Sequence, residues 1–180
     1  MNAINDQPTN LNYLSPLGFK FTLRRLPMVN YFCQSVDIPA ISMTPISTPT
    51  PLSALIRPGD KLVYDPLTIT FRVDEDMKNY IEMVNWLEGL GHPNSLKQFR
   101  DLSASSPLAT PSTIGSAMSI MSDATLTVLT SHKNPGLNAF FSDAFPTSLS
   151  ALRFSSMSND VEYLEATATF SYRKYTLERI

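Results

Sequence analysis

Charge is scarce in this chain: Asp, Glu, Lys and Arg make up 17% of its 180 residues, below the usual share of about 25%. A formal net charge of −2 excludes the basic footprint of a duplex DNA binder. A single cysteine excludes an internal disulfide. With only two histidines beside it, and no short spacing among the three, an ordinary zinc site is excluded too. No apolar run approaches the roughly 18 residues of a membrane span, so no membrane association is expected. The opening MNAINDQPTNLNY is polar and lacks a basic start, so no secretory leader is expected. No Asn-x-Ser/Thr acceptor occurs, and synthesis in the cytosol is the simplest reading.

Catalytic patterns are missing as well. There is no Gly-rich phosphate loop and no G-x-S-x-G elbow. His92, between a helix-stopping glycine and Pro93, and His132, among Ser, Lys and Asn, read as solvated loop residues. Cys33 beside Phe32 reads as a buried, inert thiol. Asp74-Glu75-Asp76 lacks the glycine and further ligands of an EF-hand and reads as an acidic helix start. A hydrolase would need a convergent acid–base pair, and none is found. No enzyme activity, metal or cofactor is expected.

What is present is β-patterning over one domain's length, enough to bury roughly 70% of the unfolded surface. Residues 1–17 read as a flexible polar arm, and residues 18–180 as a single β-domain. In GFKFTLRR, Phe19, Phe21 and Leu23 alternate with Lys20, Thr22 and Arg24, the mark of a half-buried strand. Pro27 breaks it, and VNYFCQSVDIP reads as a second strand. In DPLTITFRV, Leu67, Ile69, Phe71 and Val73 face inward. A helix is expected over 77–90, where Met77, Tyr80, Ile81, Val84 and Leu87 recur at helical spacing and Gly89 and Gly91 stop it. Tyr80, Ile81, Val84 and Trp86 are its expected packing residues, with Trp86 anchoring it on a sheet. Residues 101–122 read as a Ser/Ala/Pro-rich loop with a short helix near 116–121.

Further on, ATLTVLTS reads as a strand, NPGLNAFFSDAF as about one helical turn and LSALRFSS as a strand. Leu164, Ala166, Ala168, Phe170 and Tyr172 then alternate with polar residues. The apolar parity changes at Tyr175 and Leu177, which predicts a bulge or bend near Arg173-Lys174. Two basic groups, Lys20, Arg24 and Arg25 and then Arg173, Lys174 and Arg179, suit either an acidic partner or a solvated sheet face. The fold expected is mainly β, an antiparallel sandwich or barrel with one packed helix.

The most informative stretch is ISMTPISTPTPLSALIRPG, residues 41–59. Its prolines bar it from a helix interior or a central strand. Yet it carries Ile41, Met43, Ile46, Leu52, Leu55 and Ile56, whereas solvated linkers are poor in large aliphatics. Long irregular stretches in compact domains are usually functional. Residues 39–60 therefore read as an extended arm that buries Ile46, Leu52, Leu55 and Ile56 on a neighbouring subunit. An irregular hairpin folded on its own domain is the competing reading.

Taken in order, RLPMVNYFCQSVDIPAI, an extended segment, PGDKLVYDPLTITFRVDED and a helix with VNWLEGLG resemble the tail tube protein family of contractile-tailed bacteriophages. The resemblance covers about Phe19 to Leu90 and the strand from Val161 to Tyr172. It implies a long hairpin arm and subunits joined in hexameric rings whose inner sheets form a lumen wall. Rings stack into the conduit for genome delivery, viral DNA passing through without specific binding. Implied partners are further copies of the chain, the tail sheath, and baseplate or neck proteins; the implied location is the virion tail, assembled in host cytoplasm. The longer 101–122 segment leaves open a baseplate tube initiator or a tail terminator. A tube protein of a bacterial contractile injection system, or from another class a carbohydrate-binding β-sandwich, remain alternatives.

Overall fold

The computed structural model describes residues 12–91, 94–106, 117–156 and 163–180. In chain order the elements are β1 (Phe19–Leu23), α1 (Pro27–Phe32), β2 (Cys33–Val36), β3 (Ile41–Met43), β4 (Ile46–Pro49), β5 (Ala54–Arg57), β6 (Leu62–Tyr64) and β7 (Leu67–Arg72). Then follow α2 (Lys78–Gly91), α3 (Leu96–Ala104), α4 (Ala117–Ile120), β8 (Ser122–Leu129), β9 (Pro135–Leu149), β10 (Glu165–Ser171) and β11 (Lys174–Arg179).

Every strand pairing is antiparallel. The body is one sheet ordered β1-β8-β9-β10-β7-β2, with β11 also on β9. β9 is the hinge between two halves. Its first part pairs with β8 and β11, and its last part, from Phe145, pairs with β10. Between them Asp143 adopts a positive φ of 57°, and its carboxylate meets Arg173 Nε at 2.9 Å. The expected break near Arg173-Lys174 is here: the chain leaves β10, bends at Arg173 and continues in the same direction as β11, farther along β9. The sheet order ends in edges at β1 and β2 and is not a closed barrel.

Alternation places Phe21, Leu23, Leu67, Ile69, Phe71, Leu126, Phe141 and Phe170 in one apolar cluster shared by both halves. Helix α2 closes it. Trp86 is buried, donates from Nε1 to the Ile120 carbonyl at 2.9 Å and lies 6.1 Å from Phe170, centroid to centroid. Arg25 stacks over its ring at 5.3 Å and donates to the carbonyls of Leu102 and Ser119. That basic residue is thus part of the helix packing. Burial without a carboxylate partner pushes its guanidinium below its ordinary pKa.

Several expectations are corrected. Pro27 does not merely end β1; it starts helix α1, a position where its missing N–H loses nothing, so only Cys33–Val36 of the second strand is extended. Gly89 does not stop α2 but lies inside it, because a Cβ there would sit 2.8 Å from the Leu102 side chain of α3. Residues 101–104 are helical, not loop: α3 begins where the Gln98 side chain accepts from the N–H groups of Asn94 and Ser95, half of a capping box. Residues 107–116 of that segment, and His92, lie outside the described residues. The helical turn expected in NPGLNAFFSDAF is part of the long strand β9, and most of LSALRFSS is irregular. The first turn of α2 holds no acidic residue; Asp76 pairs with Lys78 instead.

Candidate functional site

The proline-bearing stretch forms a two-stranded antiparallel ribbon. Near the body β3 pairs with β6, Ile41 opposite Tyr64 and Met43 opposite Leu62. Farther out β4 pairs with β5, Ile46 opposite Arg57 and Pro49 opposite Ala54. Between the two ladders Thr44-Pro45 faces the longer Pro58–Lys61 segment. Gly59 is required there, because a Cβ would lie 2.2 Å from the Thr44 carbonyl oxygen. At the tip, the Thr50 N–H donates to the Ser53 carbonyl at 3.0 Å. The prolines are tolerated because a two-stranded ribbon has only edges.

The aliphatic side chains of this ribbon are left exposed by their own subunit. Leu52 is 99% and Ile56 70% exposed, and Ile41, Met43, Ile46, Leu55, Leu62 and Val63 are all exposed as well. Strand alternation puts Ile46, Thr48, Leu55 and Arg57 on one face of the outer ladder.

The root of the ribbon is fixed. Tyr172 Oη donates to the Asp65 carbonyl at 2.8 Å, and Tyr175 Oη to that of Pro39 at 3.0 Å. Tyr64, Phe141, Tyr172 and Tyr175 stack with centroids 5.2 to 6.1 Å apart. Burial, with Tyr175 and Asp65 adding, pushes the Tyr172 phenol up to about 12. The parity change at β10–β11 is what brings both tyrosines to the ribbon's base.

The other expected site residues are all on α2. Trp86 is buried, Tyr80 is half-buried and donates to the Ser150 carbonyl at 3.2 Å, and Val84 is half-buried. Ile81 is 49% exposed, on the outward side of the helix. Asn79 and Met83, which the spacing did not single out, are fully buried instead; Asn79 braces the strand–helix junction by donating to the Arg72 carbonyl at 2.7 Å.

The outward sheet face is hydroxyl-rich. Across strands, Lys20, Thr127, Asn138 and Glu178 form one row, and Thr22, Thr125, Phe140 and Thr176 the next. On the other half Thr70 faces Thr167 and Thr68 faces Thr169. Opposite charges are spread singly, so the face is polar yet nearly neutral. Cys33 is half-buried, and desolvation pushes its thiol up to about 11; a nucleophile needs the opposite shift. Among the described residues no group of three or more His, Cys, Asp or Glu could hold a metal ion, and no helix is long and apolar enough to cross a membrane.

The ribbon thus exposes its aliphatics and is rooted in a sheet whose outer face is nearly neutral. The description of phage tail tube proteins matches residues 6–178. The chain belongs to that family. Among curated relatives, it is 42% identical over 59 residues to the tail tube terminator protein of Enterobacteria phage T4, a match spanning 31% of this chain and 34% of that protein. Of solved structures, the tube-terminating cap of the anti-feeding prophage superposes with a TM-score of 0.62 at 17% identity, covering 100% of both chains. A chain from the sheath/tube terminator of the PVC extracellular contractile injection system gives 0.55 at 19% identity, over 94% of this chain and 99% of that one. At such identities these structures establish the mainly antiparallel tube-type fold and nothing finer.

Proposed function

We propose that this tail tube family protein is a tail tube terminator: a ring of identical subunits that seats on the last tube ring and ends its growth. The observation that carries the reading is the exposed aliphatic ribbon, Ile46 to Ile56, which leaves the isolated subunit unfinished. The 42% identity to the phage T4 tube terminator favours an end-cap over a repeating ring. In this reading the ribbon buries Ile46, Leu52, Leu55 and Ile56 on a neighbour. A heterologous contact of that kind closes into a ring when its rotation closes, and six subunits match the tail's expected hexamer. Partners are further copies, the terminal tube ring and the adjoining sheath or neck. The role is structural, with no catalytic step and no cofactor. A hydroxyl-rich, nearly neutral sheet face suits a lumen that passes viral DNA without holding it, since phosphate binding needs clustered Lys and Arg. The protein works in the virion tail after assembly in the host cytoplasm.

The second reading, stacked rings along the whole tube, is supported by a chain of the PVC sheath–tube complex, with a TM-score of 0.54 at 18% identity over 94% of each chain. Electron microscopy of the purified protein added to cognate tubes separates the two. Density confined to tube ends, with arrest of elongation, is expected. Long tubes growing from this protein alone would replace the terminator by the tube protein, and a strictly monomeric chain that binds no tube would overturn both.

A further inference from the structure

The subunit also carries an open groove of about 850 Å³, built where α1 meets β2 and where β7 leads toward α2. Tyr31, Phe32, Phe154 and Tyr163 line it, and all but Phe32 are exposed large side chains. Tyr31 and Phe32 pack edge to face at 5.0 Å, and exposed aromatics of this kind are the usual anchors of protein interfaces. Arg72 in the wall is already engaged, 3.7 Å from Glu165 and stacked 5.3 Å over the Tyr163 ring. The remaining charges, Asp74 and Glu75, are acidic, and Asp74 Oδ1 is buried with no hydrogen-bond donor. The groove therefore offers an apolar floor with surplus negative charge at one end.

The ribbon is its complement. From Pro39 to Pro58 the sole charged residue is Arg57, on the same face as Ile46 and Leu55. Position matters as much as chemistry. Asp65 at the ribbon's root lies just before β7, and Arg72 of the groove ends β7, about 24 Å away at ~3.4 Å per residue. The paired strands β2 and β10 run between the same two ends. Donor and acceptor thus sit at opposite ends of one strand set, a head-to-tail arrangement that suits a heterologous contact.

We propose that this groove receives the β4–β5 ribbon of the next subunit in the ring, with Ile46 and Leu55 on the aromatic floor and Arg57 facing Asp74 and Glu75. The proposal rests on the reading that the ribbon joins subunits. Two full-length variants test it, Leu55→Asp in the ribbon and Tyr163→Asp in the groove; both positions are exposed, and thermal melting checks that each folds. Each variant alone is expected to be monomeric by light scattering. Their mixture should form a 1:1 dimer and nothing larger, because one intact ribbon meets one intact groove. An Arg57→Glu chain should assemble about tenfold more weakly, and Glu75→Arg in that chain should recover the loss. If the Tyr163→Asp chain forms rings while Leu55→Asp does not, the groove proposal is overturned and the ribbon reading survives. Native-like rings from Leu55→Asp overturn both. Intact rings that no longer cap tubes in Tyr163→Asp would assign the groove to the tube protein, and absence of recovery in the charge reversal would overturn the pairing.

Discussion

The β7–β10 block and the β4–β5 ribbon use the same aliphatic vocabulary to opposite ends. Leu67 and Ile69 are 0% exposed, whereas Leu52 and Ile56 are 99% and 70% exposed. In the block, period-two alternation sends every large apolar side chain to one face, where a helix and a second half-sheet wait. In the ribbon, prolines limit pairing to two strands, and no layer lies above or below. A buried aliphatic side chain is worth roughly 1.5–3 kcal/mol relative to an exposed one. The block realises that gain on folding; the ribbon can realise it only on association, less the cost of immobilising its partner.

The contrast can be broken outright. Replacing Thr44–Ile56 by a short Gly/Ser linker should abolish assembly while leaving circular dichroism and melting temperature close to native, since loop length changes closure entropy slowly. A large fall in melting temperature would return the segment to its own subunit's core. Trp86→Ala is the opposite experiment: it should destabilise the fold by roughly 3–5 kcal/mol in denaturant titration, with the ribbon untouched. A solvated emission maximum for Trp86 in the isolated subunit would contradict that packing. Gly89→Ala should cost about 1–3 kcal/mol by forcing Leu102 away from α2; an unchanged midpoint would show that α3 shifts freely.

Smaller effects sharpen the boundary between the two regions. Cys33→Ser should cost at most ~1–2 kcal/mol and leave assembly intact; loss of assembly with the fold preserved would give the thiol a chemical role. Because folding raises the Cys33 pKa to about 11, the thiol's contribution to stability is present below about pH 8.5, the unfolded value, and is lost as pH rises toward 11. Alkylation at pH 8 should be slow in the native chain and fast in urea. Tyr175→Phe should cost about 0.5–1.5 kcal/mol, seen as faster hydrogen exchange at Ala40 to Asp65 more than as a lower global melt. Equal loss of protection in β7 would merge the ribbon's root with the core.

Much of this was legible in the residues, for physical reasons. β1, β7, β8 and β10 alternate cleanly, and alternation is a direct imprint of one buried face. The ribbon announced itself because aliphatics among prolines fit neither core nor linker. Other elements carried signals that compete. Pro27 reads equally as a strand breaker and a helix starter, and the buried Val29 behind it decides only in three dimensions. The adjacent Phe140 and Phe141 blur the period of β9, although one is buried and the other only partly so. Gly89 is set by the approach of α3, a contact between separate helices. The groove was hidden more deeply, since Tyr31, Arg72, Phe154 and Tyr163 meet only after the sheet forms. Ile81 shows the limit of helical spacing: it has the right period and the wrong side.

The tyrosine clamp at the ribbon's base makes the ribbon a lever. From Ile41 to Pro49 the ladder extends about 27 Å at ~3.4 Å per residue, so a tilt of about 10° at the root would carry the tip on the order of 5 Å off target. A closed ring cannot tolerate such an aiming error, because each subunit passes it to the next. The two phenol hydroxyls on the Pro39 and Asp65 carbonyls, backed by stacked rings, fix that angle before any neighbour arrives. In the proposed ring, the number of subunits that closes the circle would then be written partly at the pivot, far from the surface that touches.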